Sequence, residues 1–85
     1  MARDIKCVLL KVDIVLITEI VEVPSELGEP DCKLVDPYRY HEGDELKPWP
    51  DITDQREIMI HSDSILTIAE PKPKIVEKYL ELTAR

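Results

Sequence analysis

The chain has 85 residues and a formal net charge of −7, from 18 acidic against 11 basic side chains. That length fits one domain, read over residues 1–85, and excludes a two-domain dinucleotide enzyme or a catalytic barrel of about 250 residues. A chain of this size buries only about 60–65% of its unfolded surface. With no Phe, one Trp and three Tyr its core is mostly aliphatic, so it calls for support from disulfides, a metal or neighbouring subunits.

The longest apolar runs, Cys7–Leu10 and Ile14–Ile17, are far short of the ~20 residues that cross a bilayer. Met1–Lys6 carries Arg3, Asp4 and Lys6 and no apolar signal region. The expectation is a soluble, cytoplasmic protein with no membrane partner. Cys7 and Cys32 could form at most one bridge, and they read as buried free thiols. Charge is unevenly placed: residues 19–54 hold three basic and eleven acidic groups, a net of −8, whereas residues 1–18 are at +1 and residues 55–85 are balanced. An acidic face repels phosphates, so any nucleic-acid site must be small and local.

In chain order, Ile5–Lys11 reads as a short strand and Val12–Asp13 as the break after it. Ile14–Val23 is the strongest strand, rich in β-branched residues. It is apolar on both faces up to Ile17, and Pro24 ends it. Ser25–Asp31, with Gly28 and Pro30, is a loop. Cys32–His41 is a strand with Tyr38 and Tyr40 on one face and Arg39 and His41 on the other; Pro37 demands an edge or a bulge there. Glu42–Gln55 reads as a long connection pinned by Trp49. Arg56–Ile60 and Ile65–Ala69 are short strands around the polar turn His61–Ser64. Pro71-Lys-Pro73 then opens a helix over 71–85, with Ile75, Val76, Tyr79, Leu80 and Leu82 at helical spacing. Five strands over residues 1–70, one of them long and bent, hide their edges best by curling into a small antiparallel barrel.

Little in the sequence carries chemistry. His61-Ser62-Asp63 has the residue types of a hydrolase triad, but adjacent turn residues cannot supply nucleophile–base–orienter geometry, and no catalytic residue is assigned. Cys7, Cys32, His41 and His61 lack the close pairs of a zinc site. Glu42, Asp44, Glu45, Asp51 and Asp54 lack the spacing of a calcium loop, and they read as a solvated connection. No metal or other cofactor is expected. Tyr38, Tyr40 and Trp49 could stack bases, but with Arg39 alone among acids they read as core and loop anchors.

The string Ile58-Met-Ile-His-Ser-Asp-Ser-Ile65-Leu-Thr-Ile68, two short apolar strands around a tight polar turn, resembles the second signature of Sm-like proteins. Pro48–Leu82 resembles more closely the Sm-like proteins of marine cyanophages, through its Trp-Pro loop, its Arg-Glu-Ile strand and the Glu-Pro-Lys-Pro before a Tyr-containing helix. There are departures: no helix precedes the first strand, and His61-Ser62-Asp63 stands where RNA-binding members carry Arg-Gly. The resemblance implies a strongly bent five-stranded barrel that joins copies of itself into a homo-oligomeric ring, five subunits being favoured over six or seven. Its subunit contacts would come from Ile58, Met59, Ile60, Ile65, Leu66 and Ile68. His61, Ser62 and Asp63 would face the pore, with RNA as the implied partner in a phage-infected cell. The other reading is the same ring acting as a protein scaffold whose acidic face docks a basic partner.

Overall fold

The computed structural model describes residues 3–84. Six strands form one antiparallel sheet: β1 (Ile5–Leu10), β2 (Val15–Glu22), β3 (Cys32–His41), β4 (Glu45–Pro48), β5 (Glu57–Ile60) and β6 (Ile65–Ala69). A single helix, α1 (Pro73–Leu82), follows them. The sheet runs β4–β3–β2–β1–β6, and β5 also pairs with β3. No described helix is long and apolar enough to cross a membrane. The expected helix over 71–85 is realised as Pro73–Leu82. The expected domain limits at Met1 and Arg85 lie outside the described residues.

Two expectations are corrected. There are six strands, not five, because β4 lies within the stretch read as a connection. Glu42–Asp44 makes a tight turn there, with φ of 80° at Gly43 and 59° at Asp44. These left-handed conformations suit Gly and Asp and set His41 opposite Glu45. The sheet is also open. β5 pairs with β3 and β6 with β1, so the two strands that follow each other in sequence occupy different edges.

The central strand β3 serves two partners along one side. Its first half, Cys32–Val35, pairs with β5, and its second half, Tyr38–His41, pairs with β4. Between them sits a bulge. The β2 ladder steps from Ile17↔Tyr38 to Glu19↔Val35, so β3 carries one extra residue opposite Thr18. Pro37, which has no N–H to give, occupies this place. Asp36 beside it has φ of 51°. The extra residue flips the side-chain alternation, so that Leu34 and Arg39 face one side of the sheet while Val35, Tyr38 and Tyr40 face the other.

Each face of the sheet holds its own core. On one face Ile5, Ile17, Tyr38 and Leu46 bury Ile75 and Tyr79 of α1. On the other, Val8, Leu10, Leu16 and Leu34 gather Ile14, Ile20, Trp49, Ile58, Ile60 and Ile65. Neighbouring Leu16 and Ile17 thus fall into opposite cores, which is the two-sided burial expected of β2. Trp49 anchors its loop as expected. In α1, Ile75 and Tyr79 are buried, whereas Leu80 and Leu82 are exposed.

The helix is fastened at both ends. Tyr79 Oη lies 3.0 Å from the Val35 carbonyl and 2.9 Å from that of Asp36, sharing its proton between them at the bulge. Thr18 Oγ1 donates to the carbonyls of Val35 and Glu19 from the other side. Arg3 stacks on the Tyr79 ring at 5.3 Å and pairs with Glu19 at 3.1 Å and with Asp36 at 3.9 Å. It also donates to Thr83 Oγ1 at 2.8 Å. At the other end Asp44 receives Lys74 at 2.8 Å and the Tyr40 hydroxyl at 2.9 Å, while its carbonyl accepts from Lys78.

Burial pushes the Tyr79 phenol up to about 12 from its ordinary 10.0. A raised acid of this kind contributes stability that is complete below pH 10 and is lost as pH rises through about 12. Replacing Tyr79 by Phe leaves buried bulge carbonyls short of a donor. The expected cost is about 1–3 kcal/mol in denaturant unfolding. A loss near zero would show that the latch contributes nothing.

Candidate functional site

The residues singled out from sequence converge on the β5–β6 corner. His61 is extended, and Ser62–Ser64 forms one 3-10 turn closed by the Ser64 N–H on the His61 carbonyl. The turn is tied to the body at two points. Lys11 N–H donates to the Ser64 carbonyl at 3.0 Å. Asp31 accepts the Ser62 N–H and the Ser62 hydroxyl, each at 2.7 Å.

These two Ser62 hydrogen bonds, side chain first, hold the Asp31 carboxyl below its ordinary range. Because the Ser62 hydroxyl is given to Asp31, it is not poised against His61. A shallow depression beside the turn is lined by Glu26, Glu29, Asp31, His61 and Asp63 among others. Four carboxylates around one His make this corner repellent to phosphate.

The six expected contact residues separate into two sets. Ile58, Ile60 and Ile65 pack inward against the Val8–Leu34 core. Met59, Leu66 and Ile68 are exposed, at 44%, 66% and 46% of their surface. Ile68 stands opposite Val8 in the ladder and so faces the same side as that core, yet nearly half of its surface is left uncovered. The core is therefore open at its β6 rim; at the β5 rim Ile58 and Ile60 are half-buried against it, whereas Met59, opposite Lys33, lies on the other face. Among the described residues each rim is a strand with one unpaired side.

Among the described residues no group of three or more His, Cys, Asp or Glu is placed to hold a metal ion. Cys7 and Cys32 are free, and burial raises both thiols. Tyr38 and Tyr40 belong to the helix-side core and are not a stacking platform.

The family model described as "Family of unknown function (DUF6561)" matches residues 3–84. The chain belongs to the DUF6561 family. This corrects the resemblance to Sm-like proteins, for no Sm-like family matches the DUF6561 chain. The cues behind that resemblance were short: two apolar strands about a polar turn and a few prolines, which many small antiparallel sheets can share. The cyanophage association and the preference for five subunits rest on the same resemblance and have no other support. No curated protein matches this DUF6561 chain.

Sequence reasoning missed Asp31, whose role depends on a partner 31 positions away. It gave no signal beyond an Asp preceding a strand. The expected outcome of an NMR titration is that the Ser62 amide proton moves as Asp31 protonates, with a midpoint below the ordinary 3.8. A midpoint at or above that value would mean the Asp31–Ser62 clasp is not formed.

Proposed function

We propose that this DUF6561 chain is a self-assembling β module, in which the β5 edge of one copy joins the β6 edge of the next. One observation carries the reading: of the three strands with one unpaired side among the described residues, β4 shows only Glu45, Lys47 and Pro48 outward, whereas β5 and β6 bear exposed apolar residues, Met59 on one and Leu66 and Ile68 on the other. Edges of this kind are liabilities when left open. A contact between two different edges is head-to-tail, and it closes into a ring when the rotation per copy permits. Ring closure would also complete the curled, barrel-like sheet that one chain leaves open.

Such an assembly acts best as a scaffold. The net −8 of residues 19–54 recurs in every copy, which suits docking of a basic protein segment. RNA at the His61–Asp63 corner is the weaker reading, since Glu26, Glu29, Asp31 and Asp63 surround it and Ser62 is already engaged. Two free thiols suit a reducing compartment such as the cytoplasm.

Sedimentation tests this directly. The wild type is expected to run as one discrete oligomer at micromolar concentration. Leu66→Glu and Ile68→Glu, placed at exposed positions, are expected to give folded monomers with unchanged circular dichroism. A monomeric wild type, or charge variants that keep the same oligomer, would overturn the proposal.

A further inference from the structure

At the far end of the sheet, on the Arg39 face of β3 and β4, the loop after Trp49 folds back and leaves a cleft of about 700 Å³. Its sheet wall holds Arg39 and Lys47, which stand directly opposite each other in the β3–β4 ladder. Like charges in that position repel and destabilise the pair. Neither has a carboxylate within 4 Å among the described residues, and neither does Arg56, which lines the same cleft. By contrast Arg3, Lys6, Lys33 and Lys74 are all in ion pairs. In addition the Arg56 Nε, like that of Arg3, is buried with no hydrogen-bond partner among the described residues, and a buried polar group of this kind calls for a partner. Among the described residues Lys11, Lys72 and Lys78 are also outside ion pairs, but they are not gathered round one cleft; in a chain with a net charge of −7, this cleft brings three such cations together.

The remaining walls add two further chemistries. Trp49 forms part of the lining and offers an aromatic surface. Asp51 and Asp54 lie on the loop side; they offer acceptors and disfavour a bare polyanion. Phosphoryl oxygens match the guanidinium and ammonium groups, a planar ring matches Trp49, and sugar hydroxyls match a carboxylate acceptor.

We propose that this cleft binds a nucleoside phosphate, with its phosphate on Arg39, Lys47 and Arg56, its ring against Trp49 and its sugar hydroxyls toward Asp51 and Asp54. The site lies apart from the β6 edge and does not depend on the assembly proposed above.

Trp49 is the only tryptophan, so its emission reports the site without labelling. The full chain is titrated at low salt with AMP and ADP, adenosine, pyrophosphate and a single-stranded oligonucleotide, with free tryptophanamide as an optical control. Saturable quenching by AMP or ADP, weaker binding of adenosine and pyrophosphate, and weakening by added salt are expected. Arg39→Gln with Lys47→Gln should reduce nucleotide affinity at least tenfold while circular dichroism is unchanged. Arg56→Gln tests the third cation in the same way. Absence of saturable quenching, equal affinity in the double variant, or binding of pyrophosphate alone or of the oligonucleotide alone would overturn the proposal.

Discussion

One extra residue in β3 governs this fold. At Asp36–Pro37 the strand bulges, changes the face of its side chains and changes its outer partner from β5 to β4. A bulge left alone would cost backbone strain at Asp36 and unsatisfied carbonyls. Here it is latched from both faces, by the Tyr79 hydroxyl from the helix and by Thr18 from β2. Arg3 covers the latch by stacking on Tyr79 and pairing with Glu19 and Asp36. The same contacts therefore dock the helix, fix the register of the central ladder and hold the N-terminal segment.

The two surfaces on which the proposals rest follow from that device. Because the alternation flips, Arg39 shares a face with Leu34 and not with the tyrosines, so its charge meets Lys47 and the Trp49 loop instead of the helix core. Because β4 takes the second half of β3, β5 has only the first half to pair with and leaves its other side open. The 3-10 turn at Ser62–Ser64 then carries the chain across to β1, where β6 forms the opposite edge. An 85-residue chain with an aliphatic core thus ends with its Val8–Leu34 core bordered by two unfinished strands. Among the described residues it has neither a disulfide nor a metal-binding group to compensate. In the proposed assembly a neighbouring copy would supply the missing strand at each border.

Local chemistry was legible where period and breakers agree. Cys32–His41 and Ile65–Ala69 have the bounds that their alternation and flanking turn residues indicate. The two-sided burial of β2 could be read from its unbroken apolar run, and the alternative of a bulge at Pro37 from its missing N–H. β4 was missed because Glu-Leu-Lys-Pro is short, half charged and followed by Pro50, so composition outweighed the Glu42-Gly43-Asp44 turn that pairs it. The Arg3–Tyr79 stack, the Asp31–Ser62 clasp and the Arg39–Lys47 juxtaposition were out of reach for a different reason. Each depends on strand register or on long-range packing, and single-chain patterns specify neither. The family resemblance failed on the same ground, since short apolar strands around polar turns specify an antiparallel sheet and not one lineage.

In the proposed assembly the sheet is completed by another copy of the same chain. Amide hydrogen exchange of the wild-type protein, followed residue by residue at two widely separated concentrations, tests it most directly. Edge-to-edge assembly requires that amides of β5 and β6 not bonded to β3 or β1 exchange rapidly in dilute protein and become protected on concentration, while the β1–β2 and β2–β3 ladders stay unchanged. Equal exchange of the β5 and β6 edges at both concentrations, with those amides unprotected throughout, would contradict it.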